Sequence, residues 1–213
     1  MPITWNDDPV GAGPRIAANL QRVAESIVNE AGTRRPPTVA MAQDWHREMH
    51  AGVVLPVPYF AGEVRDSDQR FPELSGYEVR IGSASGVPSV LVPSELASFE
   101  AGAGAVVASI DALVPVGARP ASMAELTGIL QVAALLHGDW VRIHPFANAN
   151  GRVARLWANW VAARYNLPFF VTLRPRPAGI GYAAASAASM RGDHGPMAIV
   201  FHALLRTELA RRP

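Results

Sequence analysis

The stretch richest in chemistry runs Ile143-His-Pro-Phe-Ala-Asn-Ala-Asn-Gly-Arg-Val-Ala-Arg155. It reads as a loop between two amphipathic helices. Asn148, Ala149, Asn150 and Gly151 fall at the opening of the second helix. The first-turn N–H groups there have no intrahelical acceptor, and the positive helix end favours an anion. Arg152 and Arg155 lie three apart on that opening turn, so both reach toward one region. His144 precedes the loop and is of the type that acts as general base or acid near neutral pH. A phosphate cradle, two cations and a nearby histidine suit phosphoryl or nucleotidyl chemistry.

Composition narrows the means. Of the 213 residues, 19 count as Lys plus Arg, and every one is Arg; Lys and Cys are both absent. That removes thiol nucleophiles, disulfides and Cys-ligated zinc. It also removes Schiff bases and any lysine over phosphates. A phosphate must be held by Arg, backbone N–H groups, a metal or a helix N-terminus. A net charge of +1 gives no reason to expect nucleic-acid or membrane binding. Charges interrupt each apolar stretch before bilayer length. The opening Met1-Pro-Ile-Thr-Trp-Asn-Asp-Asp lacks the basic and apolar regions of a secretory signal, so the expected location is cytoplasmic. The missing Lys suggests GC-rich coding and a bacterial source.

The elements that must position these residues are mostly helical. After an irregular lead-in, Pro14 begins a helix whose Ile16, Leu20, Val23 and Ile27 share a face up to about Glu30. Arg34-Arg35-Pro36-Pro37 reads as a linker with solvated arginines, and Thr38 caps a second helix that stops at Gly52. From Val53 to Pro93 the texture changes. Tyr77, Val79 and Ile81 alternate with polar residues, as do Val90 and Val92, with Ser83–Pro88 between them; this predicts an isolated β-hairpin. Helices are expected again from Ser94, over Ser122–Trp140, over Gly151–Tyr165 with Trp157 and Trp160 in the core, over Ile180–Met190 and over Pro196–Arg211. The fold class is all-α with one hairpin.

HPFANANGRVAR resembles the signature of the Fic (Fic/Doc) family, His-Pro-Phe-x-Asp/Glu-Gly-Asn-Gly-Arg-x-x-Arg. His144, Pro145, Phe146, Asn150, Gly151, Arg152 and Arg155 match without a gap. Asn148 stands where the family has an acid, and Ala149 where it usually has Gly. The resemblance implies a Fic-type helical domain over residues 38–213 with the hairpin as its flap. Residues 1–37 form a lead-in and helix. It implies transfer of AMP from ATP to a Ser, Thr or Tyr hydroxyl of a target protein. His144 would take the hydroxyl proton and Phe146 would anchor the loop. The segment Asn148–Gly151 with Arg152 would cradle phosphates, and Arg155 would contact the terminal phosphate. The target would dock by strand addition on the hairpin near Tyr77–Pro93. The family acid binds Mg²⁺, so Mg²⁺ is an expected cofactor with Asn148 as its neutral candidate ligand. The departures leave two alternatives: a transferase using another donor (UMP, GMP or phosphocholine), and a silent homologue that binds or regulates.

Three further features complete the reading. His137 is expected to be a packed, hydrogen-bonded structural residue. His46 and His50 are spaced i, i+4 as in a zinc site, but Arg47 replaces the Glu that the zincin pattern places after the first His; a surface helix face is expected. Ser26-Ile-Val-Asn-Glu30-Ala31 resembles the family's inhibitory Ser/Thr-x-x-x-Glu-Gly/Asn helix except at its last position. An ordinary amphipathic helix is the preferred account, with Glu30 pairing to Arg155 as the regulatory alternative.

Overall fold

The computed structural model describes residues 3–212 apart from 83 and 180. Among these, seven α-helices run in the order α1 (Gly13–Ala31), α2 (Val39–Met49), α3 (Val92–Asp111), α4 (Met123–Ile143), α5 (Asn150–Arg164), α6 (Tyr182–Ser189) and α7 (Gly195–Ala210). The helix starts follow local chemistry. The Thr38 hydroxyl accepts from the Met41 N–H, and the Ser122 hydroxyl accepts from the Glu125 N–H. Pro occupies the first turn of α1, α3 and α7, where its missing N–H costs nothing.

Helix α4 lies at the centre and packs against α3, α5, α6 and α7. Every residue of α5 except Gly151 and Ala163 is buried, so α5 is a core helix, not the amphipathic one its spacing suggests. Its polar residues therefore need internal partners. Asn159 receives the N–H groups of Phe170 and Val171 and donates to the Val171 carbonyl. Arg164 forks onto Asp111 and the carbonyls of Arg34 and Arg35. Arg34 also pairs with Asp111, and its side chain is only 9% exposed. Helix α1 contributes Ile16, Leu20, Val23 and Ile27 to the same core as α4 and α5.

The hairpin is shorter than expected. Strand β1 (Arg80–Ile81) pairs antiparallel with β2 (Ala84–Ser85) in the register Arg80↔Ser85 and Ile81↔Ala84. The second strand thus falls inside the segment expected to be the turn. Ser89–Leu91 forms a 3₁₀ turn and Val92 opens α3; two valines two apart satisfy either period over so short a window. With that 3₁₀ turn, α3 is long and apolar enough to cross a membrane by length and composition alone, with Glu95 and Glu100 inside the span. Its Leu96, Phe99, Ala103 and Val107 pack into the core.

Candidate active site

The loop between α4 and α5 is held by backbone constraints that its own residues supply. His144 ends α4 in the left-handed region (φ 55, ψ 56), with its N–H bonded to the Trp140 carbonyl, which turns the chain sharply out of the helix. Phe146 is fully buried. Asn150 brackets it, accepting the Phe146 N–H at 2.9 Å and donating to its carbonyl at 2.8 Å. Ala149 also takes a positive φ of 61°, the conformation that glycine adopts more easily. The result aims the start of α5 at a cleft of about 700 Å³ lined by His144 and by Asn148 through Arg152. The N–H groups of Asn150 and Gly151 meet no acceptor among the described residues. Unpaired first-turn N–H groups of this kind are where an anion can bind.

His144 borders the same cleft. Its Nδ1 lies 3.1 Å from the Val141 carbonyl, which can only accept, so Nδ1 carries the proton and Nε2 keeps its lone pair. Burial pulls its pKa down to about 4; the Arg65 charge adds to the fall, and the Val141 bond opposes it. The ring is therefore neutral at pH 7 and able to accept a proton. Phosphates bound nearby would raise its basicity.

The cleft is rich in cations. Arg155 donates through Nε and Nη2 to the Leu173 carbonyl. Its Nη1 lies 3.4 Å from the point where a Cβ on Gly151 would sit, an ordinary contact distance, which places the third nitrogen beside the start of α5. Arg80, Arg174 and Arg176 also line the cleft. Two acids from the lead-in face them. Arg152 donates to the Asp7 carbonyl at 3.1 Å and pairs with its carboxylate at 3.2 Å. Arg174 binds Asp8 through Nε and Nη2, the shortest contact being 2.8 Å. Neither acid was singled out from the sequence, because each meets its arginine across more than 140 residues.

Asn148 has both ends of its amide engaged. Nδ2 donates to the Trp5 carbonyl at 2.6 Å, and Oδ1 accepts the Ala149 N–H at 2.8 Å. It is neither the N-cap, a position that Ala149 occupies, nor an open oxygen. The Asn150 side chain is likewise spent on Phe146. Its backbone N–H, not its side chain, is left without a partner at the cleft it lines.

The structure does not bring Glu30 to Arg155. Glu30 is exposed and accepts from the Ser26 hydroxyl. Helix α1 enters beside the site at Gly13, whose carbonyl accepts from Arg174. At 1.5 Å per residue, Glu30 lies about 25 Å further along the helix. His46 and His50 are corrected in the other direction, since both are buried. The His46 ring stacks on Phe146 at 3.9 Å and 2°. It accepts the Gly62 N–H at Nδ1, so its Nε2–H donates to the Asn148 carbonyl. Burial and the neighbouring His50 hold its pKa well below the usual value. Among the described residues no group of three or more metal-capable side chains occurs. His137 is fully buried and shares a 2.7 Å hydrogen bond with Tyr182, which lies beside Arg155.

The model of the Fic/DOC family matches residues 37–162 of this sequence. The chain belongs to that family. Solved Fic structures share its fold at low identity. BepC, a translocated effector of Bartonella tribocorum with bound AMPPNP, has a TM-score of 0.63 at 18% identity, covering 93% of this chain and 88% of BepC. A Fic-domain signalling protein of Bacteroides thetaiotaomicron has a TM-score of 0.58 at 22% identity, covering 90% and 68%. Among curated proteins, the uridine 5'-monophosphate transferase of Xanthomonas campestris is 49% identical over 41 residues. That match spans 19% of this chain and 8% of the transferase. Family membership supports a nucleotide-transferase kind of function.

Proposed function

We propose that this Fic protein transfers a nucleoside monophosphate from a nucleoside triphosphate to a hydroxyl of a target protein, in the simplest form AMP from ATP. The observation that carries the reading is the neutral His144, its Nε2 lone pair free on a cleft floored by the open N–H groups of Asn150 and Gly151. In this reaction the target hydroxyl oxygen bonds to the α-phosphorus as its proton passes to Nε2 of His144. The bond from the α-phosphorus to the bridging oxygen breaks, and pyrophosphate leaves. The α5 amides and the guanidiniums of Arg152 and Arg155 hold the phosphates and offset the charge that builds up on them. An extended target segment lies along the hairpin, whose Arg80 and Ile81 border the same cleft.

The expected Mg²⁺ does not fit the side chains present. Asn148 offers no carboxylate, and its side-chain carbonyl oxygen already accepts the Ala149 N–H. Asp7 and Asp8 are committed to arginines. Arg152, Arg155 and Arg174 supply the positive charge instead.

UMP is the second reading of the donor, favoured by the local 49% identity to the uridine 5'-monophosphate transferase. Radiolabelled ATP and UTP, offered separately to wild type, His144→Ala and Asn148→Asp with candidate target proteins, test both. His144-dependent labelling is expected in the wild type, and the nucleotide that gives it names the donor. Labelling only in Asn148→Asp would mean that the natural protein is impaired. No labelling in any form with either donor would refute transfer of AMP and of UMP, and silence with GTP and a phosphocholine donor as well would favour a binding role.

A further inference from the structure

Arg65 is completely buried; its ion-pair partner, Glu78, lies 3.7 Å away and is itself 59% exposed, and the adjacent Asp66 makes no hydrogen bond to it but adds its charge. A buried charge so weakly paired costs stability, and an apolar side chain would fill the space at lower cost. What Arg65 has instead is a set of main-chain carbonyls. Nε donates to His144 at 3.0 Å, Nη1 to Tyr77 at 3.0 Å, and Nη2 to Val87 at 2.9 Å and Ile143 at 3.0 Å. Its own N–H donates to the Pro145 carbonyl at 2.8 Å. The carbonyls of Ile143, His144 and Pro145 follow one another at the end of α4, where the helix dipole also favours a cation. Tyr77 and Val87 are the two feet of the hairpin.

A second contact joins the same parts. A Cβ on Gly86 would come 2.9 Å from Cβ of His144 and 3.3 Å from Nη2 of Arg65. The returning foot of the hairpin thus lies directly on the carbon that bears the imidazole. The Val87 N–H, one residue on, donates to the Arg142 carbonyl.

We propose that Arg65 is a positioning residue for the transfer reaction, one guanidinium holding the backbone of His144 and both feet of the hairpin in a single register. The inference rests on His144 being the base of that reaction. The carbonyl held by Nε fixes the left-handed turn at His144, and with it the direction of Nε2. The carbonyls held by Nη1 and Nη2 fix the height of the hairpin edge on which a target segment would lie. A rigid planar fork sets both at once, which a lysine ammonium, a single point on a flexible stem, does not.

The test compares the whole chain with Arg65→Lys and with Gly86→Ala, which keeps every Arg65 donor and pushes the hairpin foot against His144. Ring-nitrogen NMR of His144, assigned with His144→Gln, is expected to give a single tautomer with the proton on Nδ1 in the wild type and a mixture in both variants. Amide exchange at Val87 should quicken about tenfold, the loss of roughly one hydrogen bond. Turnover should fall about 100-fold, as for a misplacement on the order of 1 Å. The Kd for ATP or UTP should stay within about twofold, since the α5 cradle is untouched. An unchanged His144 tautomer in the folded variants overturns the proposal. So does a loss of nucleotide binding in step with turnover, which marks a merely structural arginine. Should Arg65→Lys not fold, Gly86→Ala reads the same coupling. If the wild type transfers no nucleotide, the proposed reaction fails while the tautomer and exchange measurements still decide the role of Arg65.

Discussion

The acids of the lead-in occupy the arginines that a donor would need, so removing their charge should tighten nucleotide binding. Asp7 and Asp8 pair with Arg152 and Arg174 on the rim of the cleft. Phosphates reaching the cradle must displace at least the Asp7 carboxylate. The Arg152 side chain is 9% exposed and that of Asp7 22%, so this hydrogen-bonded pair is worth about 1 kcal/mol. The Arg174–Asp8 pair is over a third exposed on both sides, and solvent screening reduces it to about 0.5 kcal/mol. Asp7→Asn with Asp8→Asn should therefore lower the Kd for ATP or UTP about tenfold. Calorimetric titration at low and at high salt measures it, and the gain should shrink at high salt. Asp68→Asn is the control: its acid pairs with Arg70, outside the cleft-lining residues, and should leave the Kd unchanged. Equal or weaker binding by the double variant would refute the reasoning and make the acids supports for Arg152 and Arg174.

Three other outcomes follow from the packing. Asn150→Ala strands the buried N–H and carbonyl of Phe146 and should cost about 3 kcal/mol in urea unfolding. Gly138→Ala should destabilise by about 1–3 kcal/mol, although Ala is the better helix former, because its Cβ would come 2.2 Å from the His194 ring and 2.9 Å from the Ser189 hydroxyl; a raised melting temperature would contradict this. Acid should unfold the protein early. Burial lowers His50 and His144 to about 4, His137 to about 3, and His46 well below its usual value. Each is neutral when folded and protonates near 6.5 when unfolded. The unfolded chain thus binds more protons between pH 6.5 and 4, and stability falls as pH falls through that window, by at most about 1.4 kcal/mol per pH unit per histidine. A urea midpoint equal at pH 7 and pH 5 would refute that account.

What the sequence made legible was local. Thr38 caps α2 through a contact three residues away, and the unpaired N–H groups at Asn150 and Gly151 follow from how any helix begins. Their reading needed no knowledge of the tertiary fold. Arg65, His46 and Asp7 act on the same loop from 79, 102 and 145 residues away, and no periodicity encodes such a meeting. The regulatory alternative at Glu30, second to an ordinary amphipathic helix, meets the same limit. The Ser26–Glu30 pattern is real on its helix, and the two side chains do bond. Which end of α1 meets the site is set by packing instead, and Gly13 is the end that arrives there. The burial of α5 joins the two cases. A helix surrounded on all sides must satisfy Asn150, Arg152 and Arg155 internally: Phe146 of the loop meets Asn150, the lead-in meets Arg152 and the segment near Leu173 meets Arg155. In the proposed reaction the signature thus supplies the phosphate-facing groups, while residues outside it decide what a phosphate must displace.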